Sequence, residues 1–264
     1  MGILNVTPDS FADGGRHDTY EKAVARGLEM IAEGVDIIDI GGESTRPGAD
    51  RVSAKEEQAR VLPVIEKLSQ SGIPISIDTM RAETAVLAIE AGASIVNDVS
   101  GGIADDLMHE SVAEMGCPYI LMHWRGHSKD MNSRAIYKDV VSEVISEMQS
   151  QIDLALKAGI ARNNLIIDPG LGFAKDAEHN WEILDRIDEI TALGYPVLIG
   201  GSRKRFLGGG TTDEREEATI ALTKSLLDKN IWAVRVHSVK PHKDLVLRDR
   251  KSTRLNSSHA NVSR

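Results

Sequence analysis

Apolar residues fall in short runs along this chain, and each run stops at a polar residue or a glycine. The clearest is Leu165-Ile166-Ile167, which ends at Asp168 and is followed by Pro169 and Gly170. A run without polar alternation reads as a strand buried on both faces. Proline and glycine then stop it. Similar runs lie at 2–6, 36–40, 74–77, 94–96, 119–122, 196–199 and 232–236. Between them the apolar positions take helical spacing. That spacing predicts helices over 19–34, 53–70, 81–91, 104–115, 138–158, 177–190 and 211–230. In the first of these Ala23, Leu28, Ile31 and Ala32 share one side. Ser53 with Glu56, and Thr211 with Glu214, read as capping boxes. Pro63 reads as a kink inside the second helix.

Strand–helix alternation repeated about eight times predicts a single (β/α)8 TIM barrel of the α/β class. A doubly wound open sheet is the competing fold. The barrel is preferred because polar residues end every strand, whereas an open sheet gathers ligand groups at its switch point. No Gly-x-Gly-x-x-Gly follows the first strand, so there is no dinucleotide fingerprint. No His/Cys spacing of the zinc type occurs either. A barrel also needs a helix after its eighth strand to cover the seam beside the first. Residues 240–250 start one through Leu245, Val246 and Leu247. Residues 251–264 are dense in Ser and Asn without apolar periodicity. They predict an unstructured, non-native tail, a truncated final helix and a barrel domain of 1–250.

Composition narrows the function classes. Hydrophobic residues make up 41% of 264 positions, enough to fill one barrel core. A net charge of -9 argues against a nucleic-acid surface. The single cysteine, Cys117, excludes an internal disulfide and suits a reducing, cytoplasmic compartment. No apolar run reaches membrane-spanning length, and no signal peptide precedes the first strand.

In a closed barrel the strand ends share one mouth. Asn5, Asp78, Asn97, Asp168, Lys204, Arg235 and His237 would meet there. Asp78, Asn97 and Asp168 suit a flat heterocycle rich in donors and acceptors. A carboxylate accepts two parallel N–H bonds from an aminopyrimidine edge, and an amide donates and accepts at once. Such a site rejects analogues that leave its polar atoms unpaired. Lys204, Arg235 and His237, with Thr45, Arg46 and Asn5, suit phosphate groups. Plainer readings stand beside these. Asp168 could cap the next helix. Arg235 could be a buried partner of Asp78 or Glu43, and Lys204 a solvated turn lysine. Cys117 and His123 read as core or supporting groups, and His127, His179 and His242 as surface residues.

The stretches GILNVTPDSF, IIDIGGESTRPGA, ISIDT, IVNDVSGG, IIDPGLGFAK, GGSRKRFLG and VRVH resemble, in order, the motifs of bacterial dihydropteroate synthases. The resemblance covers residues 1–239. It implies a transferase of folate biosynthesis and a sulfonamide target. The implied reaction joins 6-hydroxymethyl-7,8-dihydropterin pyrophosphate to p-aminobenzoate, giving 7,8-dihydropteroate and pyrophosphate. By resemblance Asp78, Asn97, Asp168, Phe173 and Lys204 bind the pterin. Asn5, Thr45, Arg235 and His237 bind the diphosphate, with Asn5 also a ligand of Mg2+. Arg46, Pro47, Ser202 and Arg205 bind the aminobenzoate. Asp9, Arg46 and Lys204 are the implied catalytic residues, the first two on loops 7–15 and 43–50 that close over the site. A homodimer through helices away from the mouth is implied as well. No nucleic-acid or membrane partner is expected.

Three positions depart from the family pattern: Trp124 after His123, Gly201 before Ser202, and Ser238 where an aspartate is usual. The chain also starts at its first strand, without the family's usual leader. Two alternatives remain at this stage. A pterin-binding methyltransferase domain would keep Asp78, Asn97 and Asp168 but need no diphosphate anchors. A non-catalytic pterin-binding homologue would not need Asn5, Lys204 and His237.

Overall fold

The barrel closes through strands that pair in chain order. The structure, a computed structural model, describes the backbone of residues 1–7, 16–43, 51–126 and 131–260, and side chains for 1–7, 19–43, 51–126 and 133–249. The first six strands are β1 (Gly2–Asn5), β2 (Ile38–Gly41), β3 (Ile75–Asp78), β4 (Ile95–Asp98), β5 (Tyr119–Met122) and β6 (Leu165–Asp168). They form one parallel sheet in sequential order. β7 (Leu198–Ile199) and β8 (Ala233–Val234) pair separately. Single bridges Ile167↔Val197 and Gly2↔Val236 then join β6 to β7 and β8 to β1. The ring is thus complete, as a (β/α)8 barrel requires and an open sheet does not.

Two apolar layers hold it. Inside the barrel Ile95, Ile120, Ile166 and Leu198 pack with Met1 as a plug. Outside it, Ile38, Ile40, Ile77, Val96, Leu121 and Ile167 pack against the surrounding helices. Those helices are α1 (Arg16–Ala32), α2 (Ala54–Ser69), α3 (Ala82–Glu90), α4 (Met108–Met115), α5 (Val140–Lys157), α6 (Ala177–Asp185), α7 (Ile187–Thr191), α8 (Thr212–Ser225) and α9 (Val239–Ala260). Each fully buried Ile, Leu or Val side chain contributes roughly 1.5–3 kcal/mol. The strands are therefore mostly apolar, with Asp78, Asn97 and Asp168 at or next to their carboxyl ends and Asp39 and Ser76 as polar side chains further in.

Several local expectations are corrected. Ser53 accepts from the Glu56 backbone N–H at 3.2 Å, but the Glu56 carboxylate turns to Arg60 at 2.6 Å. Only half of that capping box forms. The Thr211–Glu214 box is complete, and an unpredicted one joins Asp176 and His179 at the start of α6. Pro63 lies inside α2, which is helical on both sides of it. α4 starts at Met108, later than expected; Asp105 just before it accepts from Leu107 N–H at 3.1 Å with one oxygen and from Ala82 N–H at the start of α3 at 2.8 Å with the other. The single helix expected over 177–190 breaks at Arg186, and Ile183, Ile187 and Ile190 are all buried across the break. His242 is not a surface residue. It is 3% exposed and is bonded to Thr223 at 2.8 Å and Glu216 at 3.3 Å. His127 lies outside the described residues.

The end of the chain also departs from expectation. α9 is helical to Ala260, well past Lys251 where an unstructured run was predicted. Adding a residue to an existing helix forms a hydrogen bond without a new nucleus. Ser and Asn lower that gain by only a few tenths of a kcal/mol each.

Candidate active site

Strand register builds the mouth. Asn5, Gly41, Asp78 and Asn97 are successive partners across β1 to β4. Asp168 ends β6 opposite Met122. Asp78, Asn97 and Asp168 are each under a tenth exposed. The three expected heterocycle readers are thus brought to one end of the barrel by strand length alone.

A fourth carboxylate, not singled out by the sequence reading, lies one layer below. Asp39 shares the inward face of β2 with Gly41 and is fully buried. It accepts from Asn97 Nδ2 at 3.1 Å and from Arg235 Nε at 2.6 Å. Arg235 Nη2 reaches Asp78 Oδ2, also at 2.6 Å. The plainer reading of Arg235 therefore holds for Asp78 and not for Glu43. The available signal for Asp39 was an acid in the middle of the apolar run Ile37–Ile40, in phase with Asp78 two strand positions higher. Asp39 Oδ1 has no hydrogen-bond partner among the described residues.

Burial sets the charges here. It pushes the Asp78 carboxyl up to about 7, against the pull of Arg235 and with help from Asp39. Near neutral pH such a group can accept from a heterocycle or donate to it. Asp168 is also raised by burial, with Lys204 opposing. Burial lowers the Lys204 ammonium to about 8. Burial works against the Arg235 charge too, but Asp39 and Asp78 outweigh it and raise its pKa.

The β6 turn completes the reader. Asp168 Oδ1 accepts from Gly170 N–H at 2.7 Å. The helix cap is Asp176 instead, so Asp168 is not the N-cap of α6. A Cβ at Gly200 would stand 3.3 Å from Asp168 Oδ2, so glycine there keeps that oxygen approachable. Lys204 Nζ donates to Leu171 O and sits 4.4 Å above the Phe173 ring. It is a pocket residue, not a solvated turn lysine.

The loop after β7 supplies the next group of side chains. Ser202 Oγ pairs with His237 Nδ1 at 2.9 Å and accepts from His237 N–H at 3.2 Å. Arg203 holds a left-handed backbone at φ 56, fixed by Glu216 at 2.6 Å, Thr219 at 3.0 Å and Ser238 Oγ at 2.9 Å. Ser238 thus still serves as an acceptor where an aspartate was expected. Gly201 has its own reason: a Cβ there would come within 2.6 Å of Leu222 Cδ2. Nothing in the structure explains Trp124. Arg205 is exposed at the start of the turn Arg205–Leu207. Asp9, Thr45, Arg46 and Pro47 lie outside the described residues. Glu43 pairs with Arg51 at 3.0 Å and Arg81 at 2.9 Å, and Arg81 also reaches buried Glu57 at 2.5 Å.

A closed parallel barrel with carboxylates, an amide and two cations at its carboxyl-end mouth defines a barrel enzyme that reads a polar heterocycle. The family model described as pterin binding enzyme matches residues 1–237. The chain belongs to the dihydropteroate synthase family. It is 47% identical over 254 residues to the dihydropteroate synthase of Mycobacterium leprae (strain TN), covering 92% of this chain and 89% of that one. A Xanthomonas albilineans dihydropteroate synthase structure with 4-aminobenzoic acid superimposes with a TM-score of 0.90 at 41% identity, covering 96% of this chain and 92% of that one. The Yersinia pestis dihydropteroate synthase in a sulfonamide drug complex also gives 0.90, at 36% identity, with 96% and 93% covered. These relatives are synthases, not methyltransferase domains. No helix among the described residues is long and apolar enough to cross a membrane.

Proposed function

We propose that this chain joins 6-hydroxymethyl-7,8-dihydropterin pyrophosphate to p-aminobenzoate and releases pyrophosphate. The observation that carries this reading is the meeting of Asp78, Asn97 and Asp168 at one mouth beside Lys204 and Arg235. The three polar side chains take the donor and acceptor edge of the pterin, and Phe173 and Lys204 flank the ring. Asp39 braces Asn97 and Arg235 from below. Arg235 first holds Asp39 and Asp78, and its charge then draws the diphosphate, which Thr45 and His237 anchor. Arg46, Pro47, Ser202 and Arg205 hold the aminobenzoate. Asp9 and Arg46 act from the flanking loops.

The pterin C–O bond to the diphosphate breaks as its electron-rich ring stabilises the methylene left behind. The amine of p-aminobenzoate then forms the C–N bond and gives up one proton, which leaves with the pyrophosphate or to water. Cationic side chains stabilise the developing charge on the leaving group. Water must be excluded from the methylene cation.

Mg2+ is assigned to Asn5. Among the described residues there is no group of three His, Cys, Asp or Glu side chains that could hold a metal. One amide oxygen fits an ion that arrives with a diphosphate and keeps its own waters. When bound, Mg2+ would neutralise charge on the leaving group.

We further assign a homodimer through helices away from the mouth, a cytoplasmic location and a site that sulfonamides target as p-aminobenzoate analogues. Light scattering tests the dimer. The reaction is tested by pyrophosphate release on mixing the chain with both substrates and Mg2+. Release that needs both substrates is expected. A methyltransferase domain or a non-catalytic homologue would release none.

A further inference from the structure

Beneath the mouth sits a buried lysine to which the reaction gives no role. Lys175 is 9% exposed. Its Nζ donates to His123 Nδ1 at 2.9 Å, Gly170 O at 3.1 Å and Phe173 O at 3.0 Å. An ammonium has three N–H groups and no acceptor, so all three are used. The acceptor role of Nδ1 fixes His123 as a neutral ring with its proton on Nε2. That proton points to Glu147 Oε2 at 2.8 Å, and Arg125 Nε holds the same oxygen at 2.9 Å. Burial pushes Lys175 down to about 7 and His123 down to about 4. Ordinary helix starts carry no such cost, and α6 already has its cap in Asp176.

The lysine holds an improbable turn. Gly170, Ala174 and Gly172 have φ of 69, 48 and 74. A left-handed alanine costs roughly 1–2 kcal/mol. A Cβ at Gly170 would lie 2.4 Å from His123 O, so the turn is pressed directly onto that residue. Two lysines then grip the turn by different atoms. Lys204 takes Leu171 O and the face of the Phe173 ring. Lys175 takes the carbonyls of Gly170 and Phe173. Gly170 is the link to the reader, because its N–H is on Asp168 Oδ1 and its C=O is on Lys175.

We propose that Lys175, seated on neutral His123, is a positioning residue that sets Asp168 and Phe173 for recognition of the pterin. This rests on the pterin reading of the mouth. The ammonium donates to both carbonyls and to His123 at once, whereas a water has only two O–H groups for those three acceptors. The Asp168 oxygens and the Phe173 ring are thereby fixed before the ligand arrives, and less ordering is left to binding.

The test uses the full chain with Lys175→Met, His123→Leu and His123→Gln, and calorimetry with pterin-6-carboxylate as the probe. Lys175→Met is expected to weaken binding about 10- to 100-fold, the scale of a lost charged hydrogen bond. The KM for the pterin substrate should rise by a similar factor, with kcat and the KM for p-aminobenzoate within about threefold. His123→Leu should follow it. His123→Gln keeps an acceptor for the ammonium and should return to within about threefold of the parent chain. A purely structural role would lower the melting temperature and leave the affinity of the folded fraction unchanged, which would overturn the proposal. Should Lys175→Met not fold, the two His123 variants decide, and equal affinities in them would be equally fatal. A parent chain that binds no pterin would instead sink the reading of the mouth, and this inference with it.

Discussion

Arg235, just past the last strand, lies 2.6 Å from Asp78 at the end of the third, and its other nitrogen lies 2.6 Å from Asp39 on the second. One guanidinium therefore ties the closing edge of the barrel to the carboxylates that read the ligand. Arg235→Met is expected to lose about 3–5 kcal/mol of stability, because two buried carboxylates would face each other without a counter-charge. Denaturant melts check this. Adding Asp39→Asn should recover part of the loss, and a single-variant cost under about 1 kcal/mol would show that the carboxylates do not need the arginine.

Asp168→Asn should fold and still fail to hold the pterin. Its amide offers one acceptor where the carboxylate offers two, and a lost charged hydrogen bond costs roughly 1.5–3 kcal/mol. Calorimetry should show about a 10- to 100-fold weaker pterin complex. Unchanged affinity would remove Asp168 from the reader.

His123 makes stability pH-dependent in a predictable direction. Its folded pKa is about 4, below the ordinary histidine value of 6.5. Between pH 6.5 and 4 the unfolded chain binds the proton and the folded chain does not. The His123 contribution is therefore complete above pH 6.5 and falls as the pH drops towards 4, by roughly 3 kcal/mol in all. Asp78 runs the other way over much of this range, since its folded pKa is raised to about 7. The measurement is accordingly a difference: stability of the parent chain minus that of His123→Gln, at pH 7 and pH 4.5. The parent should lose its advantage on acidification, and a difference independent of pH would refute the assignment of a neutral buried ring.

Gly201→Ala should destabilise the chain by about 1–3 kcal/mol, since the added methyl meets Leu222 at 2.6 Å. Leu222→Val in the same chain should restore at least half of that. If Gly201→Ala alone is neutral, Leu222 moves aside and the glycine has no packing reason. Thermal melts of the two single variants and the double variant settle it.

Much of this protein was legible in order along its chain. Short apolar runs such as Leu165–Ile167 read as strands covered on both faces, and eight such segments, several of them broken by a polar residue such as Asn5, Asp39 or Arg235, alternating with helical spacing leave few folds besides a barrel. Asp78, Asn97 and Asp168 could be paired with a flat heterocycle because each ends such a run, and register follows from strand length. What sequence could not decide were contacts between residues far apart in the chain. Asp39 looked like one acid within a strand until β8 brought Arg235 across to it. His242 looked solvated until α9 packed on α8. Nothing in the sequence tied Lys175 to His123, 52 positions away, until the turn folded back over it. Local pattern records which face of a strand or helix a residue occupies. The partner it meets there is set by how the ring closes, because a buried charge is tolerated only where another element supplies its counterpart.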